Sequence, residues 1–119
     1  MAPENKTTFH PAFAYNNISN YITVKLGLDN DQYPLWVALF TDHTKPNRVL
    51  HHIVKPKSGL PKPPATDVEK ELWKTLDATV LQWIYSTVTT DLLETIVETD
   101  TTSMATWHHL ADIFQDNKK

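Results

Sequence analysis

Cysteine is absent from this 119-residue chain, glycine occurs only twice, and there is no long apolar run. Without cysteine the chain has no disulfide, no thiol nucleophile and no cysteine-ligated zinc site. With Gly27 and Gly59 alone, it has no glycine-rich phosphate loop and few of the turns that sandwiches and barrels use. No apolar segment approaches the ~20 residues of a membrane span, and residues 1–8 lack the apolar region of a signal peptide. We therefore expect a cytoplasmic, helical protein with no membrane partner.

Basic residues are also scarce, because 11 Lys and Arg stand against 14 Asp and Glu and the net charge is -3. Domains that bind nucleic acid through its backbone usually present a basic face. Lys55, Lys57 and Lys62 are separated by prolines and do not form a basic stripe. The charge balance argues against RNA or DNA binding by this segment alone.

Hydrophobic residues make up 40% of the chain and recur at helical spacing, which is typical of one globular, all-α domain. The stripes predict a compact bundle of about five antiparallel helices. The first two stripes are Tyr33, Trp36, Val37 and Phe40, and then Val49, Leu50, Ile53 and Val54. The third stripe is Val68, Leu72, Leu76, Val80 and Trp83, with Trp73 and Ile84 at its edges. The last two stripes are Leu92, Leu93, Ile96 and Val97, and then Met104, Trp107, Leu110, Ala111 and Phe114.

Polar and proline residues mark where these helices begin and end. Asn30 or Asp31 is expected to cap the first helix, and Pro46 to end it and open the second. Thr66 and Glu69 have the spacing of a capping box, which predicts a long third helix that runs to about residue 87.

The segments outside the helices divide the chain into an extended N-terminal arm (1–17), a helical domain (18–116) and a polar tail (117–119). Residues 22–26 alternate apolar and polar side chains, which fits either a short strand or an unpaired extended segment. Residues 55–66 hold four prolines and predict a loop. This loop is interpreted either as a rigid linker or as a weak PxxP ligand.

No constellation in the sequence predicts an enzyme or a metal site. The pairs His51-His52 and His108-His109 cannot each give two ligands to one ion, since adjacent helical residues point about 100° apart. No serine has a nucleophile-elbow context. The paired carboxylates, Glu69 with Glu71 and Asp91 with Glu94, are better explained as charges favoured at helix N-termini. We expect no catalytic residue, no cofactor and no metal.

Four tryptophans admit two interpretations. They can form a stacking platform for bases, or they can fill the core. Trp36, Trp83 and Trp107 lie on apolar stripes and are expected to be buried, whereas Trp73 lies at the edge of a stripe and is expected to be partly exposed.

Certain residues recur in a fixed order: Lys25-Leu26, Gln32-Tyr33 and Trp36, then Trp73, Asp77 and Trp83-Ile84, and last Thr102, Trp107, Leu110 and Phe114. This order resembles the Gag polypeptide of copia-type (Ty1/copia) retrotransposons over about residues 18–116. Two positions depart from the family pattern, Gln32 in place of Asn before Tyr33, and Thr102-Ser103-Met104 in place of Thr-Ala. Neither removes an apolar position. The family-motif and core positions are Leu26, Tyr33, Trp36, Phe40, Trp73, Asp77, Val80, Trp83, Ile84, Trp107, Leu110 and Phe114.

The resemblance implies the N-terminal part of a capsid region, with a fold like the N-lobe of retroviral capsids. It further implies a structural protein that associates weakly with copies of itself in the shell of cytoplasmic virus-like particles. Family members often carry a Cys/His zinc knuckle that binds RNA; this chain has no cysteine, so genome packaging is not implied. The alternative is a domesticated Gag-derived adaptor that binds a host protein or peptide in a helical groove.

Overall fold

A computed structural model describes residues 10–15, 17–29, 31–54 and 65–115. Across these residues the chain is mostly helical and has no β-strand, as expected for an all-α domain. The four α-helices are α1 (Tyr33–Thr44), α2 (Asp67–Ser86), α3 (Thr90–Ile96) and α4 (Ser103–Gln115). Short 3₁₀ turns lie at Pro11–Ala14, Ile18–Asn20 and Leu50–His52. Most of the predicted arm (1–9), one of the two predicted caps, Asn30, loop residues 55–64 and the tail lie outside the described residues. The other predicted cap, Asp31, is not the N-cap of α1, because Gln32 occupies that position.

Helix α2 begins with the capping box that the sequence predicts. The Thr66 hydroxyl accepts a hydrogen bond from the Glu69 N–H at 3.1 Å, and the Glu69 carboxylate accepts from the Thr66 N–H at 3.3 Å. The carboxylate also accepts from the Ala65 N–H at 2.9 Å. These bonds satisfy backbone donors that the first turn of a helix leaves free.

The core lies where α2 meets α1 and α4. Trp36 and Phe40 of α1 lie against Trp107 of α4, with ring centroids 5.3 Å and 5.2 Å from that indole. Val80 and Ile84 of α2 are fully buried beside them. The large aromatic area removed from water here contributes to the stability of the fold.

The extended segment before α1 contacts the link between α2 and α3 through a single parallel bridge between Leu26 and Val88. The Leu26 N–H donates to the Thr87 carbonyl at 2.9 Å, and the Thr89 N–H donates to the Leu26 carbonyl at 2.8 Å. The alternation at residues 22–26 therefore corresponds to extended chain with one bridge and not to a strand.

The second predicted helix, whose apolar face is Val49, Leu50, Ile53 and Val54, is not an α-helix. Only the 3₁₀ turn Leu50–His52 forms there. Arg48 has a φ of 61°, a left-handed conformation that interrupts a helix. The apolar residues still contribute, because Val49 and Ile53 are buried, but an irregular chain buries them.

Two residues of the predicted α2 stripe lie outside the core. Val68 is 79% exposed and Leu72 is 44% exposed, whereas Leu76, one turn further along the helix, is buried. The first turns of α2 extend past the helices that cover its second half. Helical periodicity identifies the apolar face, but it does not show how far along the axis that face is covered.

Candidate functional site

The structure places the twelve family-motif positions in the core and at its edge, and it does not gather them in one cleft. Their shared property is packing. The buried positions are Leu26, Trp36, Phe40, Asp77, Val80, Trp83, Ile84, Trp107 and Leu110, while Tyr33, Trp73 and Phe114 are partly buried.

Asp77 is the one acidic side chain of that set and forms a buried polar junction. Its Oδ1 accepts a hydrogen bond from His52 Nδ1 at 2.9 Å, and its Oδ2 accepts from the Ser103 N–H at 3.1 Å. The Ser103 hydroxyl donates to the Asp77 backbone carbonyl at 2.7 Å. Since a carboxylate accepts only, the proton of this contact lies on His52 Nδ1. The junction joins the 3₁₀ turn Leu50–His52, the middle of α2 and the start of α4.

The same three residue types form catalytic triads, but this arrangement does not activate a nucleophile. A nucleophilic serine needs the imidazole within hydrogen-bonding reach of its hydroxyl. Here the Ser103 hydroxyl donates to the carbonyl of Asp77, and the His52 ring lies on the carboxylate. Trp73 covers that ring, with centroids 4.7 Å apart. His52 Nε2 is buried and has no hydrogen-bond partner among the described residues. Ser103 is fully buried, and the arrangement links three elements of the fold.

Sequence reasoning missed the contact between His52 and Asp77, although one signal for it was present. Asp77 stands four residues after Trp73 and three before Val80, inside an apolar stripe. A carboxylate in such a position needs a buried partner. The sequence does not show which of six histidines that partner is, because His52 lies 25 residues away.

The two histidine pairs lie in different surroundings. His52 is buried at the Asp77 junction, His51 is half-buried, and His108 is exposed on α4. Within the described parts of the chain, no group of three or more His, Asp or Glu side chains is placed to hold a metal ion. The pKa of His51 is lowered, first by burial and then by its neighbours His52 and His10.

The tryptophans do not present a stacking platform. Trp36, Trp83 and Trp107 are buried, and the Trp36 Nε1–H donates to the Thr87 hydroxyl at 2.9 Å. That hydroxyl in turn donates to the Trp83 carbonyl at 2.8 Å, so it gives a carbonyl in the last turn of α2 a hydrogen-bond donor. Trp73 is half-buried and lies over the His52 ring.

An aromatic cluster holds residues 10–15 on the domain. We call it the Tyr15 cluster; it comprises Tyr15, Tyr21, His43, Asn47 and Trp83. The Tyr15 ring lies 4.7 Å from His43, 4.8 Å from Tyr21 and 6.0 Å from Trp83, measured between centroids. The Tyr15 hydroxyl donates to Asn47 Oδ1 at 3.1 Å.

A groove of about 200 Å³ lies between these N-terminal residues and α2. Apart from Tyr15, the lining has no titratable side chain, so the groove has no acid–base pair for catalysis. It is lined by Ala12, Phe13, Tyr15 and Ile18 on one side and by Thr79, Gln82, Trp83 and Ser86 on the other.

The most exposed apolar surface on a described helix is the α2 N-terminal face, which we define as Val68 and Leu72. The two side chains lie one helical turn apart, and the exposed Glu69 and Glu71 flank them. Other large apolar side chains with substantial exposure are scattered at Tyr21, Leu28, Leu35, Val54 and Val97.

None of the described helices combines the length and the apolar character needed to cross a membrane. No family model, curated protein or solved structure matches the chain.

Proposed function

We propose that this chain is a structural self-association domain of a copia-type retrotransposon Gag, and that it contributes to the capsid shell of virus-like particles in the cytoplasm. The observation that carries the proposal is the α2 N-terminal face, where Val68 and Leu72 are exposed on a capped, regular helix. The ordered motif set of residues 18–116 supports the family, and the mostly helical fold of the described residues agrees with the all-α class that the family implies.

The chemistry of the α2 N-terminal face suits contact with a second copy. In a two-fold contact the same patch meets itself, so Val68 of one copy can lie against Leu72 of the other across antiparallel helices. The neighbouring charges alternate, with Glu69 and Glu71 beside Lys70 and Lys74. Alternating signs are self-complementary in such a pairing.

The size of this face predicts weak association. Complete burial of one Val or Leu side chain contributes about 1.5–3 kcal/mol, and association itself costs several kcal/mol. A contact made of two such side chains per copy is therefore weak for an isolated pair. Many weak contacts of this kind stabilise a shell, in which each copy is held by several neighbours.

Light scattering after gel filtration over a concentration series tests the proposal. We expect the average mass to rise with concentration for the unaltered chain and to stay at the monomer value for the double variant Val68→Glu and Leu72→Glu. Val97→Glu is the matched control, because Val97 is 52% exposed but lies between α3 and α4. A strictly monomeric unaltered chain, or equal effects of both changes, would contradict the proposal.

A peptide-binding adaptor is the second candidate function, and the groove beside α2 favours it. The groove is bordered by the aromatic rings of Phe13 and Tyr15 and by the polar side chains of Thr79 and Gln82. An apolar residue with a flanking backbone amide fits such a lining. An adaptor predicts stoichiometric recovery of one host protein, and loss of that protein on Gln82→Arg while self-association is unchanged.

A further inference from the structure

Residues 10–15, which we call the arm segment, are held by a cap that needs an unprotonated His10 Nδ1 and by ring contacts between Tyr15 and His43. We propose that the arm segment is a pH-dependent element: protonation of His10 and His43 in mildly acidic solution releases it from α2 while the helical core stays folded. The released state opens one wall of the groove and uncovers Trp83.

His10 caps the 3₁₀ turn Pro11–Ala14 with a ring nitrogen. Its Nδ1 accepts a hydrogen bond from the Ala12 N–H at 3.1 Å, and Ala12 is buried against the core. A protonated imidazole carries hydrogen on both nitrogens and cannot accept. Protonation of His10 therefore removes the cap and leaves the Ala12 N–H without its acceptor.

His43 lies beneath the arm segment, in the Tyr15 cluster. Its ring centroid is 4.7 Å from Tyr15, 4.8 Å from Trp83 and 5.6 Å from Tyr21. The Asn47 amide nitrogen donates to the His43 carbonyl at 2.8 Å and lies 3.5 Å from Nε2. Because the amide presents hydrogens to Nε2, this nitrogen is the acceptor, and a proton there would face another donor. Asn47 is also the acceptor for the Tyr15 hydroxyl, so a displaced Asn47 loosens the arm segment directly.

The charged groups around both rings oppose protonation or are already engaged. Arg48, His52 and His51 interact electrostatically with His10, and Arg48 and His52 both lower the pKa of His10. Asp77 contacts His52, but its oxygens already accept from His52 and Ser103. The groups packed against His43 are three aromatic side chains: Tyr15 of the arm segment, Tyr21 of the segment before α1, and Trp83 of α2. The nearest charged side chains of its own segment, Asp42 and Lys45, are exposed.

The direction of the pKa shifts agrees with this geometry. Burial is the largest cause that lowers the pKa of His10, followed by Arg48 and His52. Burial likewise lowers the pKa of His43 below the ordinary value of 6.5. A histidine whose pKa is lowered in the docked state takes up its proton more readily when undocked. The docked arm is therefore undisturbed above pH 6.5 and loses stability as the pH falls below that value.

Amide hydrogen exchange followed by NMR is the test, with each rate corrected for the intrinsic effect of pH. The reporters are the Ala12 N–H, bonded to His10 Nδ1, and the Phe13 N–H, bonded to the His10 carbonyl at 3.0 Å. We expect both amides to lose protection as the pH falls below 6.5, while amides of Val80 and Ile84 in α2 keep theirs. The ring signals of His10 and His43 should titrate over the same pH range as the loss.

Two substitutions separate this mechanism from general acid unfolding. His10→Asn keeps an oxygen that can cap the turn but does not titrate, and His43→Phe keeps an aromatic ring in the cluster. The double variant should keep Ala12 and Phe13 protected throughout the titration. His108→Asn, on the exposed side of α4, should behave as the unaltered chain does.

Three results would overturn the proposal. The first is continued protection of Ala12 and Phe13 in the unaltered chain at acidic pH. The second is loss of protection in the double variant at the same pH as in the unaltered chain. The third is simultaneous loss of protection at Val80 and Ile84, which would show that the arm segment does not act apart from the core. If the double variant folds poorly, the titration curves of the His10 and His43 rings test the proposal without it.

Discussion

The two halves of α2 have the same apolar periodicity but different surroundings. In the second half, Val80, Trp83 and Ile84 are covered by α1, α4 and the arm segment. In the first half, Val68 and Leu72 continue the predicted stripe in the sequence but face outwards. Helical spacing is thus necessary for a buried face but not sufficient, because burial also needs a neighbouring element at that level of the helix axis. The difference separates residues that stabilise the fold from residues available for contact.

The largest expected effect is at Trp83 in the covered half. Trp83→Ala should lower the free energy of unfolding by about 3–5 kcal/mol, because it leaves a cavity in a closely packed aromatic core. That is a large part of the roughly 5–15 kcal/mol typical of a whole domain. Urea denaturation followed by circular dichroism measures the change. A midpoint that barely moves would show that the second half of α2 is not the core of the domain.

The next effect concerns the polar junction in the middle of α2. Asp77→Ala should lower the free energy of unfolding by about 3 kcal/mol, since hydrogen bonds to a charged group contribute roughly 1.5–3 kcal/mol each. It also leaves the Ser103 N–H and His52 Nδ1 buried without an acceptor. The matched control is Asp112→Ala on the exposed side of α4, which should change stability by less than about 0.5 kcal/mol. Equal effects would mean that the junction contributes little.

A smaller effect is expected at the first turn of α2. Thr66→Ala removes the capping hydroxyl and should cost about 1 kcal/mol. The loss should be local, with faster hydrogen exchange near Glu69 and unchanged exchange near Ile84.

The Ala65 and Thr66 N–H groups lower the pKa of Glu69 below 4.5, so this cap contributes above that pH and is lost as the pH falls further. Acid should therefore disturb the arm segment before it disturbs the cap. Loss of the docked arm segment and of the cap in a single step would contradict the view that the two halves of α2 respond separately to acid.

The smallest effect on stability is expected at the α2 N-terminal face. Leu72→Ala should change the free energy of unfolding by less than about 0.5–1 kcal/mol, since much of the side chain is already in water. Leu76→Ala, one turn further along the helix, should lower the free energy of unfolding several times more than Leu72→Ala does. Similar losses at both positions would show that the first turns of α2 are covered after all.

Local signals in the sequence predicted much of this fold. The capping box at Thr66 and Glu69 and the buried face from Leu76 to Ile84 depend on residues close together in the chain, and both form as expected. The helix predicted to open at Pro46, with Val49, Leu50, Ile53 and Val54 as its apolar face, forms only a 3₁₀ turn, and apolar spacing does not reveal the left-handed backbone of Arg48 that precedes this turn. The Asp77 junction joins residues 25 and 26 positions apart, and the sequence gives no register for such contacts. The exposure of Val68 is likewise not visible in the sequence, because it depends on which elements pack beside the first turns of α2.

A cysteine cross-linking experiment tests the central claim, that the α2 N-terminal face meets a second copy, most directly. The chain has no cysteine, so Leu72→Cys introduces a single thiol per copy. Under mild oxidation at high protein concentration, we expect a covalent dimer from Leu72→Cys and little from Val97→Cys, whose site is similarly exposed. Dimer yields that are equal at the two sites, or no dimer from Leu72→Cys at any concentration, would contradict the proposed contact.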